Sequence, residues 1–239
     1  MADLSFLHAI PGTVDAINRA HEAARQPRRR LGLSQAGHEC PRYLWYRHHG
    51  HAGDQPSGRV LRLFELGNVV ENIIIVDLSM AGCLVYHQQR EVVFTQDGVR
   101  LVGHIDGIVR GLVEAPETPH LFECKTANRA RFNELEKLGS YAEWSPVYGW
   151  QVQFYCLGLG LKRAAVFVYC KDDSRLYMER IRLDKEATIE RLQQVFAVIT
   201  SEAPPDRLCP RADHYKAKFC QLHGECFQLA ETPEAVAWL

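Results

Sequence analysis

Glu123 and Lys125, separated only by Cys124, and Asp106, closing the run Gly103-His104-Ile105-Asp106, are the strongest chemical signal in this 239-residue chain. Two positions apart on an extended strand, Glu123 and Lys125 share one face, while Phe122 and Cys124 turn the other way into a core. The alternation from Leu101 to Gly107 puts Asp106 at the end of one face of the preceding strand. Residues 111–119, rich in Gly, Pro and acidic side chains, read as the turn between the two. Antiparallel pairing would gather Asp106, Glu123 and Lys125 into one cluster. Two carboxylates with an ammonium beside them make a metal site next to a fixed positive charge.

The flanking elements must position that cluster. Residues 59–80, with Val60, Leu63, Phe64, Val70, Ile74 and Leu78 at helical spacing and no internal proline, read as a long, largely buried helix. It carries Glu71, a carboxylate that needs a partner in so apolar a helix, and Gly67 one turn earlier, where a missing side chain lets another backbone come close. Residues 83–94 read as a strand, Asp97-Gly98 as a tight hairpin turn, and 99–109 as its partner strand. Residues 129–138 form a charged amphipathic helix, 139–146 a loop with Tyr141 and Trp144, and 147–161 a second helix. In that helix Gln151 and Tyr155, four apart, share a face. An apolar strand at 163–171, another at 176–183, and a helix capped by Asp184 with Ile189, Leu192, Phe196 and Ile199 as its buried stripe complete the pattern. Upstream, residues 1–30 are helical and peripheral, Ser34 caps a helix over 34–49 that contains Cys40, and 50–58 is a connection.

Composition bounds the partners. With 46% hydrophobic residues the chain has ample material for one substantial core. It contains no uninterrupted apolar run of membrane-spanning length and no signal-peptide pattern, since Asp3, His8 and Pro11 break the N-terminal stretch, so the expectation is a cytoplasmic protein without membrane contact. A net charge of -1 carries no global basic field. The local run Arg25, Arg28, Arg29 and Arg30, followed by Arg42 and Arg47, reads equally as a solvated loop or as part of a phosphate-tracking groove. The eight cysteines in such a chain argue for reduced thiols. After Pro204-Pro205, Cys209, His214, Cys220, His223 and Cys226 crowd a tail with little apolar content, which is the ordinary signature of zinc or iron-sulfur ligation.

In order and in kind, these motifs resemble the PD-(D/E)XK nuclease superfamily and, within it, the RecB-like exonucleases with an iron-sulfur cluster, CRISPR-associated and phage stand-alone members included. Gly67-x-x-x-Glu71 stands in the place of the first motif, Gly103-His104-Ile105-Asp106 of the second, Glu123-Cys124-Lys125 of the third and Gln151-x-x-x-Tyr155 of the fourth. The resemblance implies an α/β fold, a central mixed β-sheet flanked by helices with a restriction-endonuclease-like core. That core would span residues 59–203, between an N-terminal helical segment (1–58) and a Cys-rich C-terminal segment (204–239) in one compact domain. It implies Mg2+ or Mn2+ held by Asp106, Glu123, Glu71 and the carbonyl of Cys124, with Lys125 acting on the attacking water or the scissile phosphate and Gln151 and Tyr155 positioning nucleic acid or water. It also implies a cluster, 4Fe-4S in type, on Cys40, Cys209, Cys220 and Cys226. Two departures mark this chain: Ala217 stands where the family's C-x-x-C pair has its first cysteine, so that Cys209 substitutes from farther away or His214 or His223 ligates with Zn2+ as the alternative metal, and Glu71 stands where many members have histidine. The implied activity is metal-dependent exonuclease digestion of DNA ends in recombination, repair or phage DNA processing, alongside a recombination or replication partner protein. The alternatives are a structure-specific endonuclease of the same site class and a non-catalytic nucleic-acid-binding subunit. Arg28 to Arg30, Tyr141, Trp144 and Tyr148 are candidates for gripping phosphates and bases, with packing as the rival reading of the aromatics.

Overall fold

The computed structural model describes residues 12–26 and 30–228, of which the first stretch forms helix α1 (Thr13–Ala24). Its centre is β6 (Arg163–Cys170), whose run Ala-Ala-Val-Phe-Val is buried on both faces, as an interior strand requires. β6 lies parallel to β5 (His120–Ala127) and antiparallel to β7 (Leu176–Arg182). Beyond β5 come β4 (Gly107–Arg110) and β1 (Leu84–Tyr86), both antiparallel to their neighbours, which completes a five-stranded mixed sheet of order β1-β4-β5-β6-β7. The parallel β5–β6 pair demands a crossover, and α4 (Arg129–Leu138), α5 (Tyr141–Trp144) and α6 (Pro146–Leu159) provide it.

Period-two alternation divides the sheet residues between two cores. Phe122, Cys124, Ala165 and Phe167 pack against Val70, Ile74 and Leu78 of α3 (Gly58–Met80). Leu121, Ala164, Val166 and Val168 face the larger core, with Phe132, Tyr141, Phe154 and the Leu192, Val195 and Phe196 stripe of α7 (Lys185–Ile199). Asp184 caps α7 by accepting from the Ala187 N–H at 3.1 Å. The central mixed sheet flanked by helices is the architecture expected from the sequence.

Several local expectations are corrected. Residues 83–94 are two strands, because His87 and Gln89 take positive φ (53° and 56°) between β1 and β2 (Glu91–Gln96). Residues 99–109 are also two strands. β3 (Val99–His104) pairs with β2 through the Asp97-Gly98 turn as a separate hairpin, and the chain then bends at Ile105-Asp106 to enter the main sheet as β4. The buried Ile105 is held at that bend by paired backbone hydrogen bonds with Gln89 and Arg90 (2.9 and 3.1 Å). Alternation survives such a bend, so it does not reveal it. Ser34 caps no long helix: a 3-10 turn (Leu33–Gln35) precedes α2 (Pro41–His48), which starts after Cys40 with Pro41 in the first turn, where its missing N–H costs nothing. The loop at 139–146 contains α5, whose Ser140 side chain accepts from the Glu143 N–H (3.3 Å). Ile189 stands outside the α7 stripe, partly exposed, and Val195 replaces it. Finally, α3 is not largely buried. One side meets the sheet, while Leu66, Val69, Ile73, Val76 and Met80 are exposed; apolar composition all round a helix does not say which sides find a partner.

The residues before α3 and after α7 touch each other. The Arg42 guanidinium donates to the Pro205 carbonyl (2.8 Å), the Trp45 indole to the Ser201 carbonyl (2.9 Å), and the Asp54 N–H to the Gln221 carbonyl (2.7 Å). α8 (Tyr215–Lys218) and α9 (His223–Phe227) extend this tail, with Lys216 paired to Glu39 at 2.7 Å. No helix among the described residues is long and apolar enough to cross a membrane.

Candidate active site

The pairing Gly107↔Phe122 of β4 with β5 places Asp106, just before β4, beside Glu123 and Cys124. The Cys124 N–H donates to Asp106 Oδ2 at 2.8 Å, which locks the carboxylate at the fork where the hairpin leaves the sheet. Glu123 is 0% exposed. Its Oε1 accepts from the Lys125 ammonium and, at 2.7 Å, from the Gln151 amide of α6. Its Oε2 has no hydrogen-bond partner among the described residues. A buried, unsatisfied carboxylate oxygen is expensive, and a cation is the ligand that would satisfy it.

The electrostatics point the same way. Burial, then the neighbouring Asp106, push the Glu123 carboxyl up to about 8 despite Lys125, and the same two causes raise half-buried Glu71 of α3 to about 7. Lys125 is held charged: burial opposes its charge, but Glu123, Tyr141 and Asp106 outweigh it. Three carboxyls face one ammonium, so full ionisation would leave negative charge in excess, and a hard divalent ion that displaces the protons would balance it. Even so, no three His, Cys, Asp or Glu side chains among the described residues form a closed ligand group. Part of the shell would fall to water or substrate oxygens, as is usual for Mg2+.

The four sequence motifs converge here. Tyr155 is buried against Gly103, where an added Cβ would lie 2.6 Å from the tyrosine oxygen and 2.9 Å from the Leu33 Cβ. Gly67 behaves differently from expectation. Among the described residues a Cβ there would meet nothing within 4 Å and no backbone approaches it, and the residue opens onto the cleft. Two adjoining hollows, of about 750 and 440 Å³, share Glu71, Asp106 and Gln151. Arg30 and Arg100 line the first, Lys125 and Tyr148 the second. We expect Gly103→Ala to destabilise by about 1–3 kcal/mol through overpacking, and Gly67→Ala to stabilise by about 0.5–1 kcal/mol. Urea unfolding of the two variants checks this contrast, which fails if the two changes have the same sign.

No protein-family model and no curated protein matches the chain. Among solved structures, an alkaline exonuclease from Laribacter hongkongensis (LHK-Exo) superposes with a TM-score of 0.50 at 18% identity, over 76% of this chain and 90% of that one. The fold is similar to that of an exonuclease. A second LHK-Exo structure, in complex with dAMP, gives 0.48 at 17% identity over 77% and 90%. A protein designated SSO0001 gives 0.49 at 12% identity over 91% and 95%.

Other sequence candidates fall elsewhere. Arg28 and Arg29 lie outside the described residues, so only Arg30 of that trio is placed, at the cleft rim. Arg42 donates to the Pro205 carbonyl and the Tyr46 hydroxyl, and the buried Arg47 to the His51 and Ala52 carbonyls, so both guanidiniums are engaged within the fold. Tyr141 and Trp144 are buried in the core, which excludes base stacking, and the Trp144 indole donates to the Arg131 carbonyl (2.9 Å). Arg100 was missed from sequence, since nothing in a hairpin strand signals that its exposed face lines a cleft.

Cys40, Cys209, Cys220 and Cys226 are free thiols, and Cys209 and Cys220 each lie within electrostatic reach of Cys40 and Cys226. Burial, then Cys40 and Cys226, raise Cys209; burial, then Cys40, Cys226 and Cys209, raise Cys220. The donor type and proximity suit a soft metal, although the thiols do not stand in ligating geometry. Ala217 is 1% exposed, and its carbonyl accepts from the Cys220 N–H at 3.0 Å. His223 bonds the Ala212 carbonyl (3.0 Å), and His214 Nδ1 is buried with no partner among the described residues.

Proposed function

We propose that this chain is a divalent-metal-dependent DNA exonuclease with a site of the PD-(D/E)XK type, acting on DNA ends in recombination, repair or phage DNA processing. One observation carries the reading: Glu123, fully buried, has one oxygen held by Lys125 and Gln151 and the other without a partner among the described residues, beside Asp106. The exonuclease-like fold supports it. Asp106 and Glu123 would hold Mg2+ or Mn2+, with Glu71 and the Cys124 carbonyl completing the set. When bound, such an ion supplies a reactive water and offsets charge on the attacked phosphate.

The chain's own residues do the rest. Gln151 fixes the rotamer of Glu123, so the free oxygen keeps one direction. The Lys125 ammonium, raised above its ordinary value, stays charged through neutral pH and counters the charge that builds on the phosphate or orients the attacking water. Tyr155, packed on Gly103, shapes the floor of the cleft, and Arg30 and Arg100 present cations along its wall for backbone phosphates. Mutual repulsion among Asp106, Glu123 and Glu71 keeps the cluster receptive to a cation and poor at binding a phosphate without one.

Linear and covalently closed circular duplexes, incubated with the protein and Mg2+, test the reading. Loss of the linear form alone is the expected result. Cleavage of the circle makes the protein an endonuclease of the same class, and no cleavage of either, with retained DNA binding, makes it a non-catalytic subunit. The same proposal takes Cys40, Cys209, Cys220 and Cys226 as a metal staple between residues 1–58 and 204–239, flanking a catalytic core at 59–203. Brown protein with stoichiometric iron supports an iron-sulfur cluster; zinc alone by elemental analysis assigns the site to zinc.

A further inference from the structure

Lys125 has a second set of neighbours that the proposed chemistry leaves unused. Its ammonium lies 5.2 Å from the centroid of the Tyr148 ring, at the edge of an aromatic group in which Tyr141, Trp144 and Tyr148 stand 6.0 to 6.2 Å apart. Tyr141 is 0% exposed, yet its hydroxyl has no hydrogen-bond partner among the described residues. Phenylalanine would fill the same volume without that cost, so packing alone does not account for the oxygen. The residue is firmly placed. Its N–H donates to Glu179 Oε2 of β7 at 2.7 Å, and Glu179 also accepts from the Tyr177 hydroxyl at 2.8 Å. Behind it, the Trp144 indole is tied to Arg131. The charged groups around the phenol are Lys125, Glu123 and Asp106, all of the candidate site.

An ammonium has three N–H donors and no acceptor. In this structure Lys125 spends one on Glu123. A carboxylate engaged by a cation is a weaker acceptor, so the ammonium then needs another oxygen on the same side. We propose that Tyr141 and Tyr148 are positioning residues for Lys125, the Tyr148 ring seating the ammonium and the Tyr141 hydroxyl accepting from it once Glu123 is committed to a cation. The proposal rests on the nuclease reading for its timing, but the seat itself exists without it.

The test compares wild type, Tyr141→Phe, Tyr148→Leu and Tyr148→Phe in two measurements. One is kcat and KM on linear duplex DNA with Mg2+. The other, independent of turnover, is the rate at which an amine-acylating reagent modifies Lys125 in Mg2+-loaded protein, read by mass spectrometry. Tyr141→Phe removes one atom and is expected to keep or raise its melting temperature without metal, to keep KM, to lose about tenfold in kcat, as for a hydrogen bond to a charged group, and to acylate faster at Lys125. Tyr148→Leu is expected to show the same pair of changes, with rescue by Tyr148→Phe, which keeps the ring. Wild-type kcat together with wild-type Lys125 reactivity in Tyr141→Phe overturns the proposal, as does a kcat loss without any change in reactivity. Should wild type digest no DNA, the nuclease reading fails by itself. The acylation rates then decide the seat alone: faster in Tyr141→Phe and Tyr148→Leu supports it, unchanged rejects it.

Discussion

Asp106→Asn and Lys125→Met are each expected to reduce metal-dependent digestion of linear DNA by at least about 10²-fold, the scale of losing one preorganised electrostatic element. Asparagine keeps an oxygen that accepts from the Cys124 N–H, so the fork between β3 and β4 stays built and the loss is of charge rather than fold. Removing that charge also removes a cause that raises both Glu71 and Glu123, so both should titrate lower in Asp106→Asn. Carboxyl-carbon NMR of the metal-free variant reads this directly. Lys125→Met has the opposite effect on Glu123, because it deletes the ammonium that partly offsets burial and leaves Gln151 as the donor to Oε1. The two variants therefore lose activity alike while moving one carboxyl in opposite directions. Activity that survives both substitutions would remove these residues from catalysis.

The second large effect is one of pH. Unfolded, Glu71 and Glu123 titrate near their ordinary 4.5; folded and without metal they titrate at about 7 and about 8. The folded chain thus holds protons between pH 4.5 and 8 that the unfolded chain has released. Linkage then makes the metal-free protein lose stability as pH rises through that window, with the full penalty present above it. A cation must displace those protons, so its apparent affinity is expected to climb with pH, by up to about tenfold per pH unit for each proton released, and to level off above about 8. Glu71 is only half-buried, so solvent screening makes its share the smaller. Calorimetric titration with Mg2+ at three pH values measures this, and an affinity flat from pH 6 to pH 8 would contradict it.

Where sequence reasoning was sufficient, the cause was local. Glu123 and Lys125 share a face because an extended backbone alternates, whatever lies around it, and the Asp97-Gly98 turn forms because its left-handed angles suit those residues. The apolar run of β6 and the Asp184 cap are equally short-range. The alternation that placed Asp106 at a strand end was also right, but it could not show the strand ending there. The bend at Ile105-Asp106 depends on Gln89 and Arg90, reached only when the hairpin folds back, and on the Cys124 N–H from the next strand.

Other features were illegible for the same reason. Tyr141 and Trp144 sat in a stretch whose Gly and Pro suggested a loop, and only packing against α6 turned them inward. Gly67 looked like a point of close approach, but what a missing side chain admits is decided by the neighbour, and here the space opens on the cleft. The exposed flank of α3 and the buried Ala217 are likewise facts about partners. Sequence alone determined which side chains stand together on one strand or one helical face, since backbone geometry sets those periods. Tertiary structure alone decided that one oxygen of Glu123 is left without a donor among the described residues, because that depends on Lys125, Gln151 and Asp106 meeting from three separate stretches of chain.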